Sequence, residues 1–302
     1  SKEELELNIE VLLTLYDPEP FLRVKVVMEN EAEDHRLRLL FPSFLDTNFS
    51  YAADHFMVIK RDIELPKDEG WFQPAQGLYH TDGFVDLSDD KEGLCVHVKG
   101  LPEFEILKEK NNAIAITLFR SVGWLSQGGH LGRPTGLNGP NLPTPGAQCK
   151  RKMKFDLAIQ PHKGDWRGAN LHKYMKAFQV PLKGVLKTSS EYFYEPMLRK
   201  ENPRTLEFKE ESLIRLEPKD LVVSAIKKAE DENGVIIRLY NPAGEEITGK
   251  MTLSFKPLTI SIVNLNEDFL ESVMNIEENE FEFGIKSNEI KTFLVIPERF
   301  KE

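Results

Sequence analysis

The sequence predicts an all-β protein made of two β-sandwiches of unequal size, with one short helix. Three observations carry that prediction. Apolar and polar residues alternate with a period near two in segment after segment, as in strands with one buried face. Turn-forming clusters such as Ser88-Asp89-Asp90-Lys91-Glu92-Gly93 separate these segments. One stretch alone has helical spacing. Many short, half-apolar strands must bury their faces against a second sheet, which is the sandwich solution.

In chain order, Leu7-Asn8-Ile9-Glu10-Val11, Leu22-Arg23-Val24-Lys25-Val26 and Leu37-Arg38-Leu39 each set aliphatic residues on one face and polar residues on the other. Further strands are expected over residues 55–60, 84–87, 94–98, 113–119 and 155–159. The helical exception is Leu171, Tyr174, Met175 and Phe178, spaced i, i+3, i+4 and i+7, one face of a short amphipathic helix ahead of Pro181. Residues 185–204 are irregular and polar, and read as a domain connection. The domains are therefore expected at 1–200 and 201–302. In the second, 221–226 and 235–240 flank Glu230-Asp231-Glu232-Asn233-Gly234, a hairpin signal because Asn and Gly tolerate positive φ. Strands over 251–255, 259–263, 281–283 and 291–296 complete a small antiparallel sandwich.

Composition narrows the function by exclusion. The 302 residues hold 39 Lys+Arg against 49 Asp+Glu, a net charge of −10, with 40% hydrophobic content. An acidic balance argues against nucleic acid or an anionic membrane as partner. No apolar run approaches the roughly 20 residues of a membrane span. The start lacks a signal-peptide layout. Two cysteines, Cys95 and Cys149, make neither a disulfide framework nor a metal knuckle, so a reducing, cytoplasmic location is expected.

The most unusual segment is 121–149, with seven Gly and four Pro in 29 residues. Trp124, Leu125, Leu131, Leu137 and Leu142 suit a loop that packs. His130, Arg133, Asn138 and Gln148 suit the holding of sugar hydroxyls rather than bond cleavage. A purely structural Ω-like excursion remains the alternative. The seven His residues show no metal-binding spacing and there is no Gly-x-Ser-x-Gly elbow, so no metal ligand or nucleophile is assigned. Cys95, in an alternating apolar strand, reads as a small buried thiol. Glu103 and Glu105 share a strand face at a spacing that glycoside chemistry could use, but a charged solvent face explains them equally. Arg36 and Arg38 share a face too, and are expected to pair with carboxylates of a neighbouring strand.

Several stretches together resemble the C-terminal region of glycoside hydrolase family 38, the α-mannosidases. They are Glu29-Asn30-Glu31-Ala32-Glu33-Asp34-His35-Arg36-Leu37-Arg38, Leu118-Phe119-Arg120-Ser121-Val122-Gly123-Trp124-Leu125, Pro143-Thr144-Pro145-Gly146-Ala147-Gln148, Pro161-His162-Lys163-Gly164-Asp165-Trp166 and Val235-Ile236-Ile237-Arg238-Leu239-Tyr240-Asn241. Each is weak alone; their order and spacing are specific, and most similar to the bacterial, mannosylglycerate-hydrolase-like branch. The resemblance implies a truncated large β-sandwich, galactose-mutarotase-like, followed by a small one. It implies a retaining enzyme acting on α-mannosides with two Asp carboxylates and a zinc ion held by two His and two Asp. Those groups belong to a preceding catalytic domain whose motifs are absent here, so the chain is expected to be an inactive excerpt with no metal or cofactor of its own.

By the same resemblance the loop of residues 121–148 reaches the catalytic cleft, with Arg133 and Gln148 contacting substrate and Asn138 behind them. The expected partners are the α-mannoside and the chain's own missing N-terminal domain, and self-association is left open. Two rivals remain. A freestanding carbohydrate-binding sandwich would use Trp71-Phe72 or Trp124 as platform. A sugar epimerase would need His80, His97 and Glu103 to face one another.

Overall fold

The structure is a computed structural model of the chain, and it describes residues 5–71, 73–126, 139–183, 212–231 and 233–298. Two compact units emerge, one of residues 1–179 with 241–244, the other of 180–240 with 245–302. The boundary expected at residue 200, and the connection over 185–204, lie outside the described residues. All sheets are antiparallel, as the alternating pattern requires.

The first unit runs β1 (Ile9–Leu15), β2 (Leu22–Glu29), β3 (Arg36–Pro42), β4 (Phe49–Asp54), β5 (Met57–Asp62), β6 (Tyr79–His80), β7 (Phe84–Ser88), β8 (Glu92–Val98), β9 (Glu103–Leu107), β10 (Ala113–Arg120), β11 (Lys152–Lys163) and α1 (Leu171–Gln179). Seven strands make one sheet in the order β1-β2-β11-β8-β7-β4-β5, and four make the other, β3-β10-β9-β6. Between them lies a core that includes Val24, Val26, Val85, Leu87, Val96, Phe104, Ile114, Ile116 and Leu157. Four strands cannot cover seven. At the outer edge, Ile9, Val11, Leu12, Leu13 and Leu15 of β1 are exposed, where a core-facing stripe was expected. Residues 55–60 also differ from expectation. They are not one strand, because His55 and Phe56 turn the chain between β4 and β5, with Phe56 at φ 62°.

Helix α1 covers the outer face of the large sheet. Its stripe of Leu171, Met175 and Phe178 is buried as the spacing predicted. It packs on Phe84, Cys95, Ala53 and Trp166 at one end and on Phe21 and Ala158 at the other. Gly83 makes the close approach possible, since a Cβ there would fall 2.0 Å from Met175 Sδ. Strands β7 and β8 are thereby buried on both faces. The outward side chains Asp86, Ser88, Cys95, His97, Gln160 and His162 form a polar ladder beneath the helix.

The second unit runs β12 (Ile214–Glu217), β13 (Val222–Lys228), β14 (Val235–Tyr240), β15 (Ile247–Leu253), β16 (Pro257–Val263), β17 (Phe269–Ser272), β18 (Ile276–Glu277), β19 (Glu280–Ile285) and β20 (Ile290–Pro297). Its sheets are β13-β14-β20-β16-β17 and β12-β15-β19-β18. Phe281 and Phe283 each meet Phe293 edge-on in its core, at 5.2 and 4.9 Å. The hairpin at 229–234 closes with the Ala229 amide donating to Gly234 O, 3.0 Å.

Candidate functional site

Strand β10 ends at Arg120, and the segment that follows doubles back on itself. The Leu125 amide donates to Leu142 O at 2.9 Å, Thr144 to Gly123 O at 2.8 Å and Val122 to Ala147 O at 3.1 Å. These bonds make a neck that brings the chain out to Ser126 and back from Gly139. The neck is clasped to the chain ahead of β3. Gln148 Oε1 accepts from the Asp34 amide and its Nε2 donates to Asp34 Oδ1, both at 2.9 Å. Buried Asn30 donates to Gln148 O at 3.0 Å and to Ser121 Oγ at 3.2 Å. Gly123 leaves room for this clasp, because a Cβ there would lie 2.7 Å from Asp34 Oδ1. Gly123→Ala should therefore cost about 1–3 kcal/mol and speed hydrogen exchange at the Leu125 and Thr144 amides. Unchanged exchange at both would sink this account of the neck.

Of the expected substrate contacts, Arg133 and Asn138 lie in 127–138, outside the described residues, as does His130. Gln148 is described; it is buried, and both ends of its amide are taken by Asp34. Trp71 is 58% exposed and Trp124 42% exposed, while Phe72 lies outside the described residues.

Glu103 and Glu105 belong to an ionic network across the small sheet. Arg38 pairs with Glu105 and Arg120 with Glu103, while Arg36 reaches Glu103 at 3.5 Å and Glu105 at 3.9 Å. Thr117 on the intervening strand donates to Glu103 at 2.6 Å. Burial pushes the Glu103 carboxyl up, but the hydrogen bonds from Arg120 and Thr117 and the guanidinium charges outweigh it and hold it below the ordinary value. A carboxyl kept ionised in this way is no proton donor. His80 stands opposite Glu103 in the ladder, yet its ring turns to Asp54, 3.3 Å away. His97 is buried in the other sheet. The three residues an epimerase would need do not converge.

The polar ladder under α1 escaped the sequence reading. His162 Nε2 donates to Asp86 Oδ1 at 2.8 Å, and Ser88 Oγ donates to Asp86 Oδ2 at 2.7 Å. His162 crosses bare backbone to get there, for a Cβ on Gly93 would lie 2.2 Å from its Cε1. Burial pulls the His162 pKa down, but its hydrogen bond to Asp86 and that charge outweigh burial and leave it raised. Burial raises the Asp86 carboxyl more than His162 and Ser88 lower it. His97 Nε2 donates to Gln160 Oε1 at 2.8 Å and sits among the rings of Phe21, Phe84 and Phe178. Its burial pushes the pKa down to about 4. Cys95 is fully buried, as expected, and burial raises its thiol. Cys95 and His97 lie against the helix, and Asp86, Ser88 and His162 are buried in the same face of the sheet. The legible signal was the Asp86 carboxylate inside the run Phe84-Val85-Asp86-Leu87.

Residues 220–293 match the Glycosyl hydrolases family 38 C-terminal beta sandwich domain. A "Putative mannosylglycerate hydrolase" of Halalkalibacterium halodurans is 31% identical over 245 residues, 81% of this chain and 24% of that protein. Residues 220–293 thus match the C-terminal β-sandwich of glycoside hydrolase family 38, and the chain as a whole is similar to the C-terminal region of that family. It spans about a quarter of the length of the curated relative it matches. The crystal structure of an alpha-mannosidase from Enterococcus faecalis V583 superposes with a TM-score of 0.74 at 22% identity, covering 97% of this chain and 29% of that one. A second Enterococcus faecalis structure, a protein in glycosyl hydrolase family 38, gives 0.71 at 21%, covering 95% and 30%. At such identities the likeness is one of fold, and it extends through both units. The zinc set implied by the family, two His and two Asp, is not assembled among the described residues. The one group of three or more that could hold a metal, Asp54, His55 and His80, has a single carboxylate.

Proposed function

We propose that this chain is the non-catalytic C-terminal part of a larger retaining α-mannosidase that hydrolyses terminal α-mannosides. The observation that carries the reading is the 31% identity, over most of this chain, to a relative named as a mannosylglycerate hydrolase. The nucleophile, the general acid and the catalytic zinc ligands would lie on polypeptide outside this chain. The placement of its own carboxylates supports this division. Glu103 and Glu105 are tied to arginines, and Asp86 is fully buried and bonded to His162 and Ser88. The chain's task would be to cover the catalytic domain and to supply loops to its cleft.

In this reading the clasped neck, residues 121–126 and 139–148, is the base of a loop that serves the cleft. Arg133 would contact the outer sugar or the leaving group, with Asn138 behind it. Gln148 would act on substrate binding indirectly, by fixing the base of the loop through Asp34. The polypeptide carrying the preceding domain should hydrolyse an aryl α-mannoside or mannosylglycerate, and the 302-residue chain alone should not. In the longer enzyme, Arg133→Ala and Gln148→Ala should each lower kcat/KM by roughly three- to tenfold, about the worth of one hydrogen bond. Unchanged kcat and KM in both would remove the loop from the cleft. A calorimetric titration of the chain alone with mannose or mannobiose that gave saturable heat would favour the carbohydrate-binding module instead, with Trp71 or Trp124 as its platform.

A further inference from the structure

The two sheets of the first unit approach each other where β4 turns into β5. Asp54 ends β4 in the large sheet, His55 opens the turn, and His80 ends β6 in the small sheet. His55 Nδ1 lies 3.0 Å and His80 Nδ1 3.3 Å from the same oxygen, Asp54 Oδ1. The two imidazoles are nearly parallel, 7° apart in plane with centroids at 5.4 Å. One ligand atom from each of the three residues lies within 4.8 Å of the others.

We propose that Asp54, His55 and His80 form a binding site for one divalent transition-metal ion of the Zn²⁺ type. Spacing is the first argument. Metal–ligand bonds of about 2.0–2.1 Å in a tetrahedral site set neighbouring ligand atoms about 3.3 Å apart. The two nitrogen–oxygen separations, 3.0 and 3.3 Å, already stand at that edge length. On entry of the ion, each imidazole carries its proton on Nε2 and turns the Nδ1 lone pair inward. The donor set is the second argument. Two imidazoles and one carboxylate suit Zn²⁺, Ni²⁺ or Cu²⁺, whereas Mg²⁺ and Ca²⁺ take oxygen ligands.

Access agrees. The side chains of His55 and His80 are 72% and 44% exposed, leaving the open coordination positions to water. Arg61 stands 3.8 Å from Asp54 Oδ2, with its guanidinium over the Tyr79 ring at 4.9 Å. It thus braces the carboxylate from behind and leaves Oδ1 facing the imidazoles. Its positive charge also weakens the pull on a cation. A bound ion would pin the β4–β5 turn to β6 and tie one sheet of the sandwich to the other.

Calorimetric titration of the 302-residue chain with ZnCl₂ should give one ion per chain, and titration with MgCl₂ should give none. His80→Ala and Asp54→Asn should each weaken Zn²⁺ binding by about tenfold or more with unchanged circular dichroism, since each removes one of three protein ligands. In the unaltered protein, substoichiometric Ni²⁺ should broaden the ring resonances of His55 and His80 before those of His35, His162 or His172. Equal Zn²⁺ binding by wild type and both variants, or broadening that begins at another histidine, would overturn the site.

Discussion

His162→Ala should destabilise the first unit by about 3–5 kcal/mol, the usual consequence of leaving a buried charge without its partner. Asp86 is fully buried and has two side-chain partners, of which only the His162 ring can carry a charge. In a unit of this size each kcal/mol moves the midpoint by about 2–4 °C, so calorimetry should register a drop near 10 °C. Gly93→Ala should do comparable harm by a different route, because its methyl would occupy the path of the imidazole. In the His162→Ala background most of that harm should vanish. The contact with Ser88 Cβ, at 2.8 Å, keeps the remainder. A coupling below about 0.5 kcal/mol in the double-mutant cycle, as for independent sites, would mean that Gly93 is not there for His162.

The second large effect is an acid sensitivity located in His97. Its folded pKa, about 4, lies below the ordinary value of 6.5. The unfolded chain therefore takes up a proton that the folded chain refuses. A depressed histidine of this kind contributes stability above its unfolded pKa and loses it as pH falls toward the folded one. From pH 7 to pH 5 the loss amounts to roughly 2 kcal/mol. His162 works in the opposite sense, its raised pKa giving stability in acid that is lost as pH rises through its folded value. The test is consequently a difference. Urea unfolding of wild type and His97→Gln at pH 7 and pH 5 should show the variant losing about 2 kcal/mol less over that interval. Parallel losses in the two proteins would rule out His97 as the sensor.

The period-two pattern made most strands legible, and the 3.6-residue stripe from Leu171 to Phe178 found the helix that covers the large sheet. Both signals come from burial on one face, and they fail where burial is two-sided or lacking. Strands β7 and β8 looked ordinary although both of their faces are covered. β1 looked half-buried although it stands at an open edge. The hairpin at His55 and Phe56 was missed because neither residue is a usual turn former; the left-handed Phe56 has no sequence signature. The ionic pairing of Arg36 and Arg38 could be expected from their shared face. Their partners, Glu103 and Glu105, are two strands away in the sheet, and only the β3-β10-β9 order reveals them. Asp54, His55 and His80 remained unlinked for the same reason, since the closeness of His80 to the other two depends on how two sheets end.

The position of β11 has a consequence for the order of events as the chain is made. Strand β2 has β1 on one side, and its other neighbour is β11, which also pairs with β8. Val24 pairs with Leu157, so about 130 residues must emerge before the large sheet can join its two halves, a separation that slows folding. Until then the β1–β2 hairpin and the four strands in the order β8-β7-β4-β5 exist as separate pieces with unpaired inner edges. Ribosomal pausing or chaperone capture before Lys152 would hold the protein in that divided form, and the last strand of the large sheet to be synthesised is the one that unites it.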